Sequence, residues 1–415
     1  MSSLRVLISG AGIAGPAMAF WLTRLGHSCT VLERFPTLRT DGQQVDLRNH
    51  GLAVIDRMGL RDEITRHNID EVGFQLVNAK GERQILMSRQ EEGDGRARTF
   101  TSELEIMRGD LSKIFYDVTE GKAEYRFGVT VEDYENEGDG VRVKLSDGTE
   151  ERFDLLVAAD GQSSRIRQKM MQVDEEIMDN SIMLQLFAAY FKVPRRPDDE
   201  NLASGCHVPG RRLMVTRWHT EDAGQAYLVT RAGRELLNEA LKKDVEAQKA
   251  AFAEVFDGAG WQAARLIEAM NKANDFYAEE VVQRKSSRWY SGRVVLLGDT
   301  AYAPGALTGM GTTLAVVGAY ILAGELAKHG NDISAGLAAF DKTLRPFVEE
   351  SQVLPPGVWG VMWPNTAFGV KMLHTVAWIA VLLRLDKVAA WLDAGSAWKL
   401  PEYKDLSEAV EGYKE

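Results

Sequence analysis

Cysteine is nearly missing from this chain of 415 residues: there are two, Cys29, read at the end of a helix, and Cys206, read in a loop. Two separated thiols build neither a disulfide framework nor a thiolate metal site, and they suit a reducing compartment. No basic block occurs either. The formal charge is −11 with both signs mixed along the chain, which argues against a nucleic-acid groove or an anionic membrane as partner. The start, MSSLRVLISG, lacks both a charged stretch before an apolar core and an Arg-rich amphipathic segment, so residence in the cytoplasm is expected. Long apolar runs are lacking as well: TAFGVKMLHTVAWIAVLLRL is interrupted by Lys371, His374 and Arg384. A span needs about 20 predominantly apolar residues, so a helix packed along the protein's own core is expected there. The acidic stretches EEGDG and ENEGDG lack the spacing of a calcium loop and read as solvated turns, so no metal is expected. Repeats and low-complexity tracts are absent.

What is present is an ordinary globular composition, 45% hydrophobic, long enough for two or three lobes. RVLISGAGIAGPAMAFWLTRLGHSCTVLER reads as strand, glycine turn, helix and strand, one βαβ unit. GLAVIDRMGLRDEI and RGDLSKIFYDV are short helices. VRVKLSDGTEERFDLLVAADG turns at an Asp-Gly pair, and its FDLLVAA end has the unbroken apolarity of a strand buried on both faces. From about Met183 to Thr230 longer strands, IMLQLFAAYFKV, RLMVTRW and QAYLVTR, are separated by the polar loop PRRPDDENLASG and followed by helical material from Glu235 to Phe256. They predict an antiparallel sheet with helices on one side, inserted into an α/β lobe. GRVVLLGD returns the chain to that lobe, and beyond Phe347 the pattern is helical.

Three segments carry chemistry. Gly10, Gly12 and Gly15 form G-x-G-x-x-G between strand and helix, and Glu33 closes the second strand 18 residues after Gly15. The glycines permit a tight turn, approach of a pyrophosphate to the backbone and close helix packing, the helix N-terminus favours the negative charge, and an acid in Glu33's place accepts ribose hydroxyls. Dinucleotide binding follows. The second segment is LLVAADGQSSRIR, with Asp160 and Gly161 at the end of a buried strand. The third is LLGDTAYAPGALTGMGTTLA, where Asp299 follows a strand, and Pro304, Gly309 and Gly311 bring bare backbone up to a flat ligand before a helix begins.

In this order the three segments resemble the class A flavin monooxygenases, the family of para-hydroxybenzoate and salicylate hydroxylases, and within it most nearly the tetracycline-inactivating enzymes. The resemblance implies a Rossmann-like, glutathione-reductase-like FAD domain with a parallel sheet (residues 1–75, 100–175 and 277–345), an inserted antiparallel-sheet substrate domain (76–99 and 176–276) and a helical C-terminal region (346–415). It implies FAD held by Gly10, Gly12, Ala14, Gly15, Glu33, Arg34, Asp46, Arg108, Asp160, Asp299, Gly309, Met310 and Gly311, with Pro304, Gly309 and Gly311 framing the reaction face. NADPH or NADH would reduce the flavin, and a flavin hydroperoxide would hydroxylate an aromatic or polycyclic molecule, polyketide- or tetracycline-like. Gln185 and Arg212 lie where the tetracycline-inactivating subgroup contacts substrate; His207, Trp218 and His219 are weaker candidates. Baeyer-Villiger or epoxidising chemistry, or a flavin oxidoreductase that does not oxygenate, are the alternatives. Met170, Met171, Trp378 and Trp391 read as packing. Oligomeric state is not legible.

Overall fold

The computed structural model describes residues 2–69, 71–88, 104–354, 357–383 and 398–411. Its organising element is a six-stranded sheet in the order Tyr290–Ser291, Val294–Leu296, Leu155–Ala158, Arg5–Ser9, Ser28–Glu33, Glu124–Phe127, parallel apart from the two-residue edge strand. The short runs VLI, LLVA and VVL are fully buried, sharing one core with helix Ala14–Arg24 and with a three-stranded antiparallel sheet, Glu150–Phe153, Val141–Leu145 and Val131–Asn136. Helix Ala14–Arg24 lies against Gly311–His329, a helix buried along nearly its whole length. The expected mixed α/β class, with helices toward the C-terminus, is what the chain adopts.

A seven-stranded sheet forms the other lobe, in the order Tyr277–Gln283, Ile182–Pro194, Ala223–Thr230, Arg212–Trp218, Ala203–Val208, Gly73–Val77, Arg83–Ser88. All neighbours are antiparallel except Ala203–Val208 with Gly73–Val77. Its two faces sort by strand alternation. Phe187, Ala189, Phe191, Met214, Trp218, Ala226 and Leu228 meet helices Arg234–Ala240, Val245–Phe256 and Ala263–Lys272 in one core. The residues between them, Tyr190, Lys192, Gln225 and Tyr227, turn toward the first lobe, where Lys192 reaches Asp41 at 2.7 Å and the Gln225 amide donates to the Gly42 carbonyl at 2.6 Å. Arg217 crosses to Glu71 and Glu105, at 2.6 and 2.7 Å.

Several expectations need correction. Cys29 and Cys206 are buried in strands Ser28–Glu33 and Ala203–Val208; the second strand emerges from the tail of the supposed polar loop, its edges satisfied by pairing on both sides. The first short helix is two, His50–Met58 and Arg61–Arg66, separated at Gly59, whose φ of +70° ends the first. The seven-stranded sheet begins at Gly73 and takes in Tyr277–Gln283, both beyond the expected domain boundaries, because each strand pairs there. Helix Ala367–Leu382 buries only Val370, Leu373 and His374, leaving Phe368, Met372, Val376, Trp378 and Ile379 exposed where core packing was expected. Trp391 and the EEGDG stretch lie outside the described residues, whereas in ENEGDG Glu135 and Asn136 end the strand Val131–Asn136, residues 137–139 form an exposed turn and Gly140 is buried before Val141–Leu145. No helix among the described residues is long and apolar enough to cross a membrane.

Candidate functional site

The first glycine turn is built by exclusion. Gly10 has φ of +111°, and a Cβ there would lie 2.4 Å from the Ala159 carbonyl oxygen; at Gly15 a Cβ would lie 1.9 Å from the Gly10 carbonyl oxygen. Gly10 is dictated by the backbone at the end of the neighbouring strand, and Gly15 by packing of the turn on itself. Gly12 differs: a Cβ would meet only Nη2 of Arg108, at 3.0 Å, so its missing side chain leaves room for something else. The helix that follows, Ala14–Arg24, has no side-chain cap and no acidic residue in its first turn, so the turn's N–H groups are left for another acceptor. Glu33 orients the loop, accepting from the Ala11 and Phe35 N–H groups, each at 3.1 Å.

Arg108, at the start of helix Arg108–Asp117, lies over this turn, its stem against Gly42 and its guanidinium against Gly12. It forms no salt bridge with the described residues. Burial lowers its pKa, Arg39 adds to that, and Asp299, Tyr277 and Glu33 oppose it. Asp299 is open to solvent, yet burial raises its carboxyl, with Arg108 opposing. A side chain both solvent-open and desolvated faces an internal recess, not the outer surface. The left-handed φ of +64° at Gly298 places it there.

The far wall is the loop from Pro304 to Gly311. Pro304 is buried, and its carbonyl accepts from the Gln283 amide at 2.9 Å. Gly309, at φ of +63°, leaves space beside the Asp46–Arg48 pair, which is closed at 2.6 Å; a Cβ would lie 3.1 Å from Arg48 and 3.3 Å from Asp46. Met310 offers no side-chain cap to helix Gly311–His329, and a Cβ on Gly311 would face Asp299 at 3.7 Å. Asp160 is pushed up to about 6 by burial, offset by Ser164, Thr300 and Arg34. The rest of its motif is structural: Ser164 caps helix Arg165–Val173, and Arg167 holds Asp179 at 2.7 Å.

The structure thus gathers Gly10, Gly12, Ala14, Gly15, Glu33, Arg108, Asp160 and Asp299 at one end of the six-stranded sheet, with Asp46, Pro304, Gly309, Met310 and Gly311 continuing the recess. Arg34 is exposed and acts on it at the rim, through Asp160. Arg212 is not brought there. Alternation puts it on the helical face with Met214, its guanidinium on the carbonyls of Pro209, Val255 and Asp257. Gln185 sits exposed at a bulge, with φ of +53°, and its carbonyl accepts from Arg231 at 3.4 Å. Trp218 is core, and His207 is buried beside His374. His219 is half-buried, its pKa lowered by burial and Lys192.

Sequence reasoning overlooked the sheet's contribution. Tyr190, Tyr227, Tyr277 and Glu279 form a polar wall on the first-lobe face, with Tyr190 and Tyr227 edge to face at 5.2 Å. The signal was available in YAEEVVQ, where period two puts Tyr277, Glu279 and Val281 on one side. Among the described residues no three His, Cys, Asp or Glu side chains gather as a metal site.

An adenine-linked dinucleotide fits this recess: the turn lacks a side chain where one would intrude, the helix start has no side-chain cap, and Arg108 forms no salt bridge with the described residues. The FAD binding domain family matches residues 3–351. The FAD-dependent monooxygenase asL4 of Sarocladium schorii is 39% identical over 98% of this chain and 99% of its own length. The flavin-dependent monooxygenase eupH of a Phoma species is 36% identical over 93% and 94%. Among solved structures, the tetracycline destructase Tet(55) superposes with a TM-score of 0.80 at 28% identity, covering 97% of this chain and 99% of its own.

Proposed function

The chain belongs to the FAD binding domain family and is an FAD-dependent monooxygenase, and from that premise we propose that it uses NADPH or NADH to hydroxylate an aromatic or polycyclic, polyketide- or tetracycline-like molecule. When bound, the flavin supplies what no side chain can, acceptance of a hydride and activation of dioxygen. The chain's residues do the rest. Backbone N–H groups from Gly12 to Gly15 and the Arg108 guanidinium hold the pyrophosphate, Glu33 the ribose, and Asp299 the hydroxyls of the ribityl chain. Pro304, Gly309, Met310 and Gly311 frame the ring, with Asp46 and its Arg48 partner closing that end. The seven-stranded sheet, through its tyrosine wall and Gln185 at its edge, meets the substrate and excludes water from the reacting face. The two cysteines, free and buried in different sheets, suit a cytoplasmic enzyme.

The observation that carries this reading is Arg108: a desolvated guanidinium without an anionic partner among the described residues, aimed at the one glycine of the turn whose missing side chain packs against nothing else. The support for the substrate class is the likeness to a tetracycline destructase and to flavin monooxygenases. The test is NADPH and NADH oxidation by the purified yellow protein across phenols, anthraquinones and tetracyclines, with products identified by mass. Substrate-stimulated oxidation yielding a product one oxygen heavier on a ring carbon is expected. Ring expansion or an epoxide would replace hydroxylation by the alternative chemistries, and turnover without oxygen incorporation would replace it by a non-oxygenating oxidoreductase.

A further inference from the structure

Two local costs sit side by side just after strand Gln44–Leu47. Asn49 holds φ of +39° with ψ of −102°, a region that a residue bearing a Cβ rarely enters. Asn is a common helix cap, yet at the start of helix His50–Met58 its side chain makes no capping hydrogen bond. Beside it, the Arg48 Nε is buried with no hydrogen-bond partner among the described residues, and a donor left so is unfavourable unless its side chain is held from elsewhere. It is held at both ends. Nη2 reaches Asp46 at 2.6 Å, and the backbone N–H donates to the Thr313 hydroxyl oxygen at 3.0 Å.

Thr313 is fully buried and is the third residue of helix Gly311–His329, directly beyond the loop that frames the recess. Gly51 lets helix His50–Met58 meet it: a Cβ there would lie 3.0 Å from the Thr313 hydroxyl oxygen and 3.3 Å from the Thr313 Cα. At the other end, the ion pair stands against Gly309, where a Cβ would lie 3.1 Å from Arg48 and 3.3 Å from Asp46. Direct contacts therefore run from Thr313 to Arg48, from Arg48 to Asp46, and from that pair to the Gly309 loop.

We propose that Thr313 is a positioning residue for the flavin ring: its hydroxyl clasps the Arg48 N–H and thereby fixes where the Asp46–Arg48 pair stands against the Gly309 loop. This rests on the ring placement proposed above. The clasp offsets the strained turn at Asn49 and the orphaned Nε. Without it the segment from Asp46 to His50 relaxes toward ordinary backbone and carries the ion pair along. Binding a ring then includes the cost of restoring that segment, so affinity falls by up to the worth of the lost hydrogen bond, about 2- to 10-fold. Thr313 acts through Arg48 and not on the ring itself, and that separation is testable.

The experiment is a double-mutant cycle in the full chain: wild type, Thr313→Val, Arg48→Met and the two combined. Each is measured for FAD affinity by flavin fluorescence titration, for the absorption spectrum of bound flavin, and for urea unfolding without flavin. Thr313→Val keeps the side-chain shape and removes the acceptor. With Arg48 present it should weaken FAD binding by about 2- to 10-fold and shift the flavin bands; with Met at that position it should do neither. Its loss in urea midpoint should be the same in both backgrounds, because the Arg48 N–H is there in each. Thr313→Ser, which keeps the hydroxyl, should restore affinity and spectrum. Should Thr313→Val fold poorly, Gly51→Ala takes its place in the cycle, since its methyl presses on the same hydroxyl while favouring the helix. An effect on FAD that persists at full size beside Arg48→Met, or wild-type affinity and spectrum in Thr313→Val, overturns the proposal. Wild-type affinity and spectrum in Arg48→Met would instead overturn the ring placement beneath it.

Discussion

Gly12 and Gly15 look alike in sequence and should behave differently when each is replaced by alanine. In Gly15→Ala the new methyl would sit 1.9 Å from the Gly10 carbonyl oxygen and 3.3 Å from Ile8, and the first contact is backbone that cannot turn aside. Opening it to an ordinary separation moves the turn by more than 1 Å against the strand end at Ala159; overpacking of that kind costs about 1–3 kcal/mol. Alanine's better helix propensity returns at most about 1 kcal/mol. A net loss of about 1–2 kcal/mol is expected in the flavin-free protein. In Gly12→Ala the methyl meets only Nη2 of Arg108, the far end of a flexible side chain, at 3.0 Å, and the backbone there does not need a left-handed φ. Stability should be unchanged within about 0.5 kcal/mol. The methyl instead occupies the space assigned to the pyrophosphate, and if overpacking there costs the same 1–3 kcal/mol, FAD affinity falls by about 5- to 150-fold. Urea unfolding of the flavin-free proteins and flavin fluorescence titration separate the two effects. Wild-type FAD affinity in Gly12→Ala, or equal destabilisation by both variants, would refute the division of labour between the two glycines.

Replacing Arg108 by Met removes a buried charge that has no ion pair among the described residues; the flavin-free protein should be at least as stable, while FAD binding, losing charged hydrogen bonds of about 1.5–3 kcal/mol, should weaken about 10- to 100-fold. Asp160, raised by burial to about 6, makes the flavin-free fold less stable as pH climbs from the unfolded value near 4 through 6, because the unfolded chain ionises first; the loss reaches about 3 kcal/mol, and the difference between wild type and Asp160→Asn in melts from pH 4 to 7 should show it. Arg217→Met leaves Glu71 and Glu105 buried without their shared cation, and urea unfolding should register about 3–5 kcal/mol of destabilisation.

The cofactor half of the molecule was readable because its constraints are local. A glycine followed by a helix, an Asp after a buried strand and a bare loop before a helix each state their geometry within a dozen residues. Arg108 was reachable only through the resemblance, since RGD before a helix carries no signal of what lies above it. Arg212 and the tyrosine wall show the opposite case. Which face of a strand meets the recess depends on sheet order, and nothing in RLMVTRW says that its even positions, Arg212 among them, look toward helices. Cys206 was misplaced for a related reason: ASGCHV is apolar but small, and its strand exists because Arg212–Trp218 on one side and Gly73–Val77 on the other both pair with it.

Gln283 is the last residue of its strand, and its amide donates both to the Pro304 carbonyl at 2.9 Å and to the Gln352 carbonyl at 2.8 Å, while Gln352 returns a bond to Arg284 at 2.9 Å. Sheet edge, glycine loop and the end of a long helix are thereby cross-braced at a single buried point. A molecule pressing on the tyrosine face cannot shift that strand end without carrying the loop along, so the two lobes lack an independent hinge where the ring and its target would meet. Alignment between them is inherited from the strut, and a substrate that fits the sheet is by the same act set in register with the loop.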